Sequence, residues 1–131
     1  MSKGEEHVIS LLKSSPYKFE REKVCRDFRQ GLYRFDFFLP QLNTCIEVDG
    51  IQHFVYVSHF YKTRQDFLKA KERDRLKNSY CLAHQIKLIR IPYWELDTIK
   101  NYSELFNPKF VVKNKYHNDY IIVPKEYNSS K

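Results

Sequence analysis

The sequence predicts a single α/β domain whose elements run α-β-β-β-α-β. Three observations carry that reading. Apolar residues recur at helical spacing in a segment near the start and in a longer one past the middle. Between and after them lie β-type runs, a hairpin-like stretch from Arg34 to Phe54 and the nearly continuous apolar "IKLIRIPYWE". With 131 residues, 42% hydrophobic and 16% aromatic, the chain can bury one real core and lacks the composition of a disordered segment.

Each element has a local cause. "SKGEEHVISLLKS" sets Val8, Ile9, Leu11 and Leu12 at helical spacing, with Ser2 as N-cap and acids in the first turn. Ser14-Ser15-Pro16 ends it. "YKFEREKVCRDF" reads as a strand whose alternation is broken by charges, and Gln30-Gly31 supplies a turn. "RFDFFLPQLNTCIEVDGIQHF" reads as two apolar strands joined by a two-residue turn at Gln41-Leu42. A long helix follows, roughly Lys62 to Ala83, with Phe60, Phe67, Leu68, Leu76, Tyr80 and Ala83 as its apolar stripe and Lys and Arg on the other face. "IKLIRIPYWE" fits a central strand covered on both sides, and Pro92 stops it. "LDTIKNYSELF" predicts a short amphipathic helix. "VVKNKYHNDYIIVP" offers two short β-like runs around a polar turn before a frayed "NSSK" end. Residues 1–106 form the core, and 107–131 are an extension that packs on it or trails it.

A formal charge of +7 favours a polyanionic partner, nucleic acid first. Cys25, Cys45 and Cys81 are widely spaced and form no CxxC pair, which argues for reduced thiols in a cytoplasmic setting and against a zinc ribbon. No signal-type h-region and no bilayer-length apolar run suggest export or a membrane.

The acids of the hairpin need a reason. If Gln41-Leu42 form the turn, positions summing to 83 pair across the strands, and Asp36 sits opposite Glu47. Glu47 and Asp49, two apart, project from one face. Like charges directly opposite each other destabilise a sheet. Three resolutions are open: a hard divalent cation among the carboxylates, a shared proton, or an exposed face where the acids pair with Arg34 or a lysine. His53 lies four residues past Asp49, at the edge of the same patch. Asp74 and Lys77 are one helical turn apart and share a face.

These residues together are similar to a known family. "GE" on a first helix, "RFDFFLP", "IEVDGIQHF", "D-R-L-K" on a helix and "LIRIPYWE" resemble the PD-(D/E)XK nuclease superfamily, in the branch of very-short-patch repair endonucleases and phage-borne homing-type nucleases. The likeness runs from about Gly4 to Glu95 and implies a restriction-endonuclease-like αβββαβ core with a central mixed sheet flanked by helices. It implies that Asp36 is the metal-binding Asp and Glu47 the D/E of the (D/E)-x-K motif, with Asp49 at the place of the usual Lys. His53 matches the catalytic-region His, Glu5 the first-helix Glu, and Asp74 the acid of the long helix. The motif lysine is absent, so His53, Gln52 or Lys77 would have to supply its function. The zinc site of the mismatch-repair members is not recognisable.

The expectation is therefore an Mg2+- or Mn2+-dependent endonuclease acting on DNA. Asp36, Glu47 and Asp49 are its metal ligands, and His53 is the general base or orients the attacking water. Glu5 supports a second metal or its water, while Lys77 and Arg90 stabilise phosphate charge. Lys62, Arg64, Lys69, Lys71, Arg73 and Arg75 grip the backbone. No separate reading module is present, so selectivity is structural or comes from a homodimer or a recruiting partner. The expected setting is a bacterial or phage-infected cell. Two rivals stand: a catalytically inactive nucleic-acid-binding module with a nuclease fold, and a protein-interaction domain docking through Tyr116, Tyr120 and Ile121-Ile122.

Overall fold

The computed structural model describes residues 1–27 and 31–127, in which four strands form one open sheet in the order β1-β2-β3-β4. The turn expected at Gln30 and the terminal "NSSK" lie outside the described residues. Helix α1 (Lys3–Lys13) precedes β1 (Glu20–Asp27), β2 (Gly31–Leu39) and β3 (Thr44–Asp49), which run antiparallel in succession. Helix α2 (Arg64–Ala83) then crosses over, and β4 (Lys87–Pro92) returns parallel to β3. The element order is the one the sequence predicts, and the sheet is mixed.

Ser2 caps α1 as expected, its hydroxyl accepting the Glu5 N–H at 3.1 Å. Val8, Leu11 and Leu12 of α1 pack against Phe37, Leu39, Ile46, Ile89 and Ile91 on one side of the sheet. Tyr33, Phe35, Cys45 and Leu88 pack with Cys81 of α2 on the other. Tyr33, Phe35, Phe37 and Leu39 alternate regularly in sequence yet divide between the two sides. β2 therefore turns over at Asp36, next to the one rung, Glu22 to Asp36, missing from its ladder with β1. Glu22 there has φ 52°, a left-handed conformation that costs a non-glycine residue about 1–2 kcal/mol.

The hairpin register is the expected one, with Phe37 paired to Ile46, Phe38 to Cys45 and Leu39 to Thr44. Its turn is not the two-residue one. Pro40–Leu42 form a 3-10 turn closed by the Asn43 N–H on Pro40 O at 3.3 Å, with Asn43 at φ 47°. Adding one residue on each side of Gln41-Leu42 keeps the same sum, so the pairing survives the change of turn.

Three expectations are corrected. The inward stripe of α2 is only partly apolar: Leu76 and Tyr80 pack against the core, but Asp74, Asn78 and Cys81 are its buried residues, while Leu68 and Phe60 are exposed. Polar groups can occupy that stripe because the sheet beneath offers each one a charged partner. "LDTIKNYSELF" forms two 3-10 turns, Tyr93–Thr98 and Tyr102–Phe106, rather than one helix. The β-like runs after Asn107 reduce to a single bridge from Val111 to Ile89, where Val112 N–H meets Leu88 O at 2.9 Å. That bridge covers the outer edge of β4, and Phe110 and Val112 are buried there. No helix among the described residues is long and apolar enough to cross a membrane.

Candidate functional site

The β2–β3 ladder ends at the Phe37–Ile46 rung, and the next two residues are Asp36 and Glu47. There each carboxylate reaches across the gap to the other strand's backbone. The Asp36 N–H donates to Glu47 Oε2 at 3.1 Å, and the Val48 N–H donates to Asp36 Oδ2 at 2.8 Å. Two acids thus replace backbone rungs at the point where the strands part. Burial, then the adjacent Glu47 charge, pushes the Asp36 carboxyl up to about 8, and Glu5 adds to the effect. Glu5 comes close because Gly4, in the first turn of α1, lets the helix approach the sheet: a Cβ there would meet Leu96 Cδ1 at 2.7 Å and Val48 Cγ1 of β3 at 2.9 Å. Arg21 lies 3.6 Å from Glu5.

The ammonium of Lys77, from α2, pairs with Glu47 Oε1 and lies 4.9 Å from the centroid of the Phe35 ring. A lysine of the helix thus lies beside the strand carboxylate of the "E-V-D" stretch. Among the described residues no group of three or more His, Cys, Asp or Glu side chains is arranged to hold a metal ion. The fork does hold a half-buried Asp36 beside a buried Glu47, and burial together with the Glu47 charge keeps the Asp36 carboxyl protonated near neutral pH. A Mg2+ ion fits such a donor set, since it binds through one or two carboxylates and fills the rest of its shell with waters and substrate phosphate.

Asp49 is committed elsewhere. It is 1% exposed and accepts the Arg90 Nη1–H at 2.9 and 3.1 Å and the Asn118 Nδ2–H at 3.1 Å. Burial opposes its charge, but Arg90 and His53 hold the carboxyl below its ordinary range. Bonded through both oxygens to the Arg90 guanidinium, Asp49 is its counter-ion. Arg90 is itself fully buried, donating also to Asn78 Oδ1 at 2.7 Å, so no surface phosphate reaches it.

His53 Nδ1 bonds Asp74 Oδ2 at 2.9 Å and lies 3.6 Å from Asp49 Oδ1. Burial works against its charge, yet Asp49 and Asp74 raise its pKa to about 9. The imidazole is therefore a cation near neutral pH, where a general base would have to be neutral. Asp74, 6% exposed, is no solvated helix acid: it holds His53 and lies 3.6 Å from Arg90 Nη2. The expected phosphate-gripping residues divide. Lys62, Arg64 and Lys69 are exposed, and Arg73 is exposed with Nη2 donating to Leu32 O at 2.8 Å. Lys71 and Arg75 both bind Asp119, at 3.4 and 2.9 Å. Asn78 and Asn118 were not singled out in the sequence. Their only signal was the need of a charged strand residue for partners on the covering elements.

Comparison with known proteins adds relatives, not a family. A 58-residue segment is 34% identical to Uncharacterized protein 307L of Invertebrate iridescent virus 6, covering 44% of this chain and 29% of the viral protein. A 59-residue segment is 48% identical to Uncharacterized protein 094L of Frog virus 3, covering 44% of this chain and 38% of that protein. A further 58-residue match, 29% identical, is to Uncharacterized protein 033L of Invertebrate iridescent virus 3, covering 44% of this chain and 30% of that protein. The chain thus spans well under half the length of each of these relatives. No family model and no solved structure matches it.

Two outcomes follow from the site. Arg90→Met strands Asp49 and Asp74 as buried charges and should cost about 3–5 kcal/mol in urea unfolding; a loss under about 1 kcal/mol would contradict the network. Asp36 and His53 both bind protons more tightly folded than unfolded. Stability should fall as pH rises, from 3.8 to about 8 through Asp36 and from 6.5 to about 9 through His53. Asp36→Asn should flatten the lower part of that slope and exceed wild type at pH 8 by about 0.5–2 kcal/mol. Parallel urea midpoints for the two proteins between pH 5 and 8 would contradict it.

Proposed function

We propose that this protein is a divalent-cation-dependent endonuclease that hydrolyses phosphodiester bonds in DNA. The observation that carries this reading is the fork, where Asp36 and Glu47 face each other across parting strands with the Lys77 ammonium on Glu47. The combination of two carboxylates and a lysine is what the PD-(D/E)XK resemblance leads one to expect, with the lysine delivered from α2. A sheet flanked on both faces by helices is in keeping with a restriction-endonuclease-like core.

Asp36 and Glu47 would hold Mg2+ or Mn2+, which when bound lowers the pKa of water and neutralises phosphate charge. Asp36 must give up its proton to do so. Lys77, beside the same carboxylates, is placed to stabilise charge on the scissile phosphate. His53, charged and fixed by Asp74, serves as a cation or proton donor toward a leaving oxygen rather than as base. Arg90 and Asp49 are positioning residues that fix α2 over β3. Lys62, Arg64, Lys69 and Arg73 would contact the backbone, which makes binding fall steeply with salt. The viral relatives favour a virus-infected host cell as the setting.

A catalytically inactive nucleic-acid-binding module is the second reading, favoured by the occupation of Glu47 by Lys77. It expects salt-sensitive DNA binding indifferent to Mg2+.

Nicking of supercoiled plasmid separates the two. Wild type should cut with Mg2+ or Mn2+, Asp36→Ala and Glu47→Ala should not, and Lys77→Met should lose about 100-fold or more. Equal cutting by Asp36→Ala and wild type would remove the fork from the chemistry. Because the metal must displace the Asp36 proton, the Mg2+ concentration giving half-maximal rate should fall about tenfold per pH unit up to about pH 8. A half-maximal concentration unchanged from pH 6 to 8 would refute that exchange.

A further inference from the structure

A small cavity lies past the end of β4, outside the carboxylate fork. Partly open to solvent, it offers about 160 Å³, with Arg90 and Pro92 on one side, Trp94, Glu95, Lys109, Phe110 and His117 around it, and Ile121 and Ile122 completing the wall. Sites for drug-sized molecules run to roughly 300–1,000 Å³, so one ring system is the scale of occupant here. Two of the lining residues, Trp94 and Phe110, are flat aromatics. Three others supply directed polar groups. Glu95 offers a carboxylate, Lys109 an ammonium 3.3 Å from it, and His117 an imidazole. Burial, then the nearby Arg90 charge, lowers the His117 pKa, so this imidazole is neutral and offers both a donor and an acceptor.

That mixture selects among ligands. A purely apolar molecule would leave the His117 imidazole without use. A bare phosphate would meet the Glu95 carboxylate. A metal ion would find a single carboxylate beside two cations. A heteroaromatic ring with donors and acceptors on its edge satisfies all of them, by stacking on aromatic faces and bonding along its rim. A carboxylate accepts from an exocyclic amine, as it does from cytosine N4. The position relative to the fork also matters. Trp94 packs on Phe54, ring centroids 4.9 Å apart, and Phe54 follows His53 in sequence. Pro92 is in register with Asp49. The cavity thus adjoins the segment from Asp49 to Phe54 that leads out of β3.

We propose that the cavity is a pocket for one unpaired nucleobase bearing an exocyclic amine. This deepens the nuclease reading and rests on it for the source of the base, but binding at the pocket requires neither metal nor turnover.

Trp94 is the only tryptophan in the chain, so its fluorescence reports the pocket directly. The whole protein in EDTA is titrated with dAMP, dCMP, dGMP and dTMP, and with 2-deoxyribose 5-phosphate as a ligand lacking a base. The three amine-bearing nucleotides should quench saturably, dTMP several-fold more weakly, and the sugar phosphate not at all. Glu95→Gln, which keeps the shape, should weaken the amine-bearing nucleotides about tenfold and bring them level with dTMP. Lys109→Met serves as the second variant should Glu95→Gln misfold, and it should likewise alter the order of the bases. Quenching by sugar phosphate equal to that by nucleotides, absence of saturation by all four, or an unchanged order in the folded variant would each overturn the pocket. Saturable base-dependent quenching without plasmid nicking would keep the pocket and reject the nuclease; nicking without such quenching would do the reverse.

Discussion

A guanidinium removed from water is tolerated only when its donors and its charge are met on every side, and Arg90 at the centre of β4 is fully buried. Its partners come from three directions: Asp49 on β3, Asn78 and Asp74 on α2, and through Asp49 the Asn118 amide of the C-terminal segment. Satisfying that one cation fixes how far α2 stands from the sheet, which face of α2 turns inward and where the chain after β4 must return. Lys77, one turn along the same face, is thereby carried over Glu47, and Asp74 holds His53. The carboxylate fork and the histidine share one frame.

What the sequence could show follows from how local each cause was. The Asp36–Glu47 juxtaposition was legible because strand pairing is arithmetic, and enlarging the turn symmetrically leaves the sum of paired positions unchanged. The first helix was legible because its cap and its apolar spacing lie within thirteen residues. The inward face of α2 was not, since Asp74, Lys77 and Asn78 look like solvent residues until their partners two elements away are known. Arg90 in an apolar run and Asp49 in another were a signal available in the letters. Each is a charge where both strand faces are covered, and two such residues on adjacent strands are natural partners. The motif spacing that makes Asp49 a metal-ligand candidate carries no trace of the burial that makes it the counter-ion of Arg90.

The fork itself is assembled against local preference. A carboxyl pushed up to about 8, a left-handed Glu22 and a strand that turns over all meet at Asp36. Strain gathered at one place beside otherwise regular packing is the pattern of a site where function and stability compete. The interior around it is balanced in charge by contrast, Asp49 and Asp74 set against Arg90 and His53, although Asn118 Oδ1 is buried there without a hydrogen-bond partner.

The parallel pairing of β3 with β4 has a bearing on how this centre comes into being. Glu47, Asp49, His53, Asp74, Lys77 and Arg90 all belong to one crossover, from β3 through α2 to β4. Closing a long connection costs entropy before any non-local contact repays it. Until β4 docks, Asp49 and Arg90 are separated along the chain and hydrated, and they favour the open coil. The same charges that cement the finished domain therefore act as a gate on its assembly.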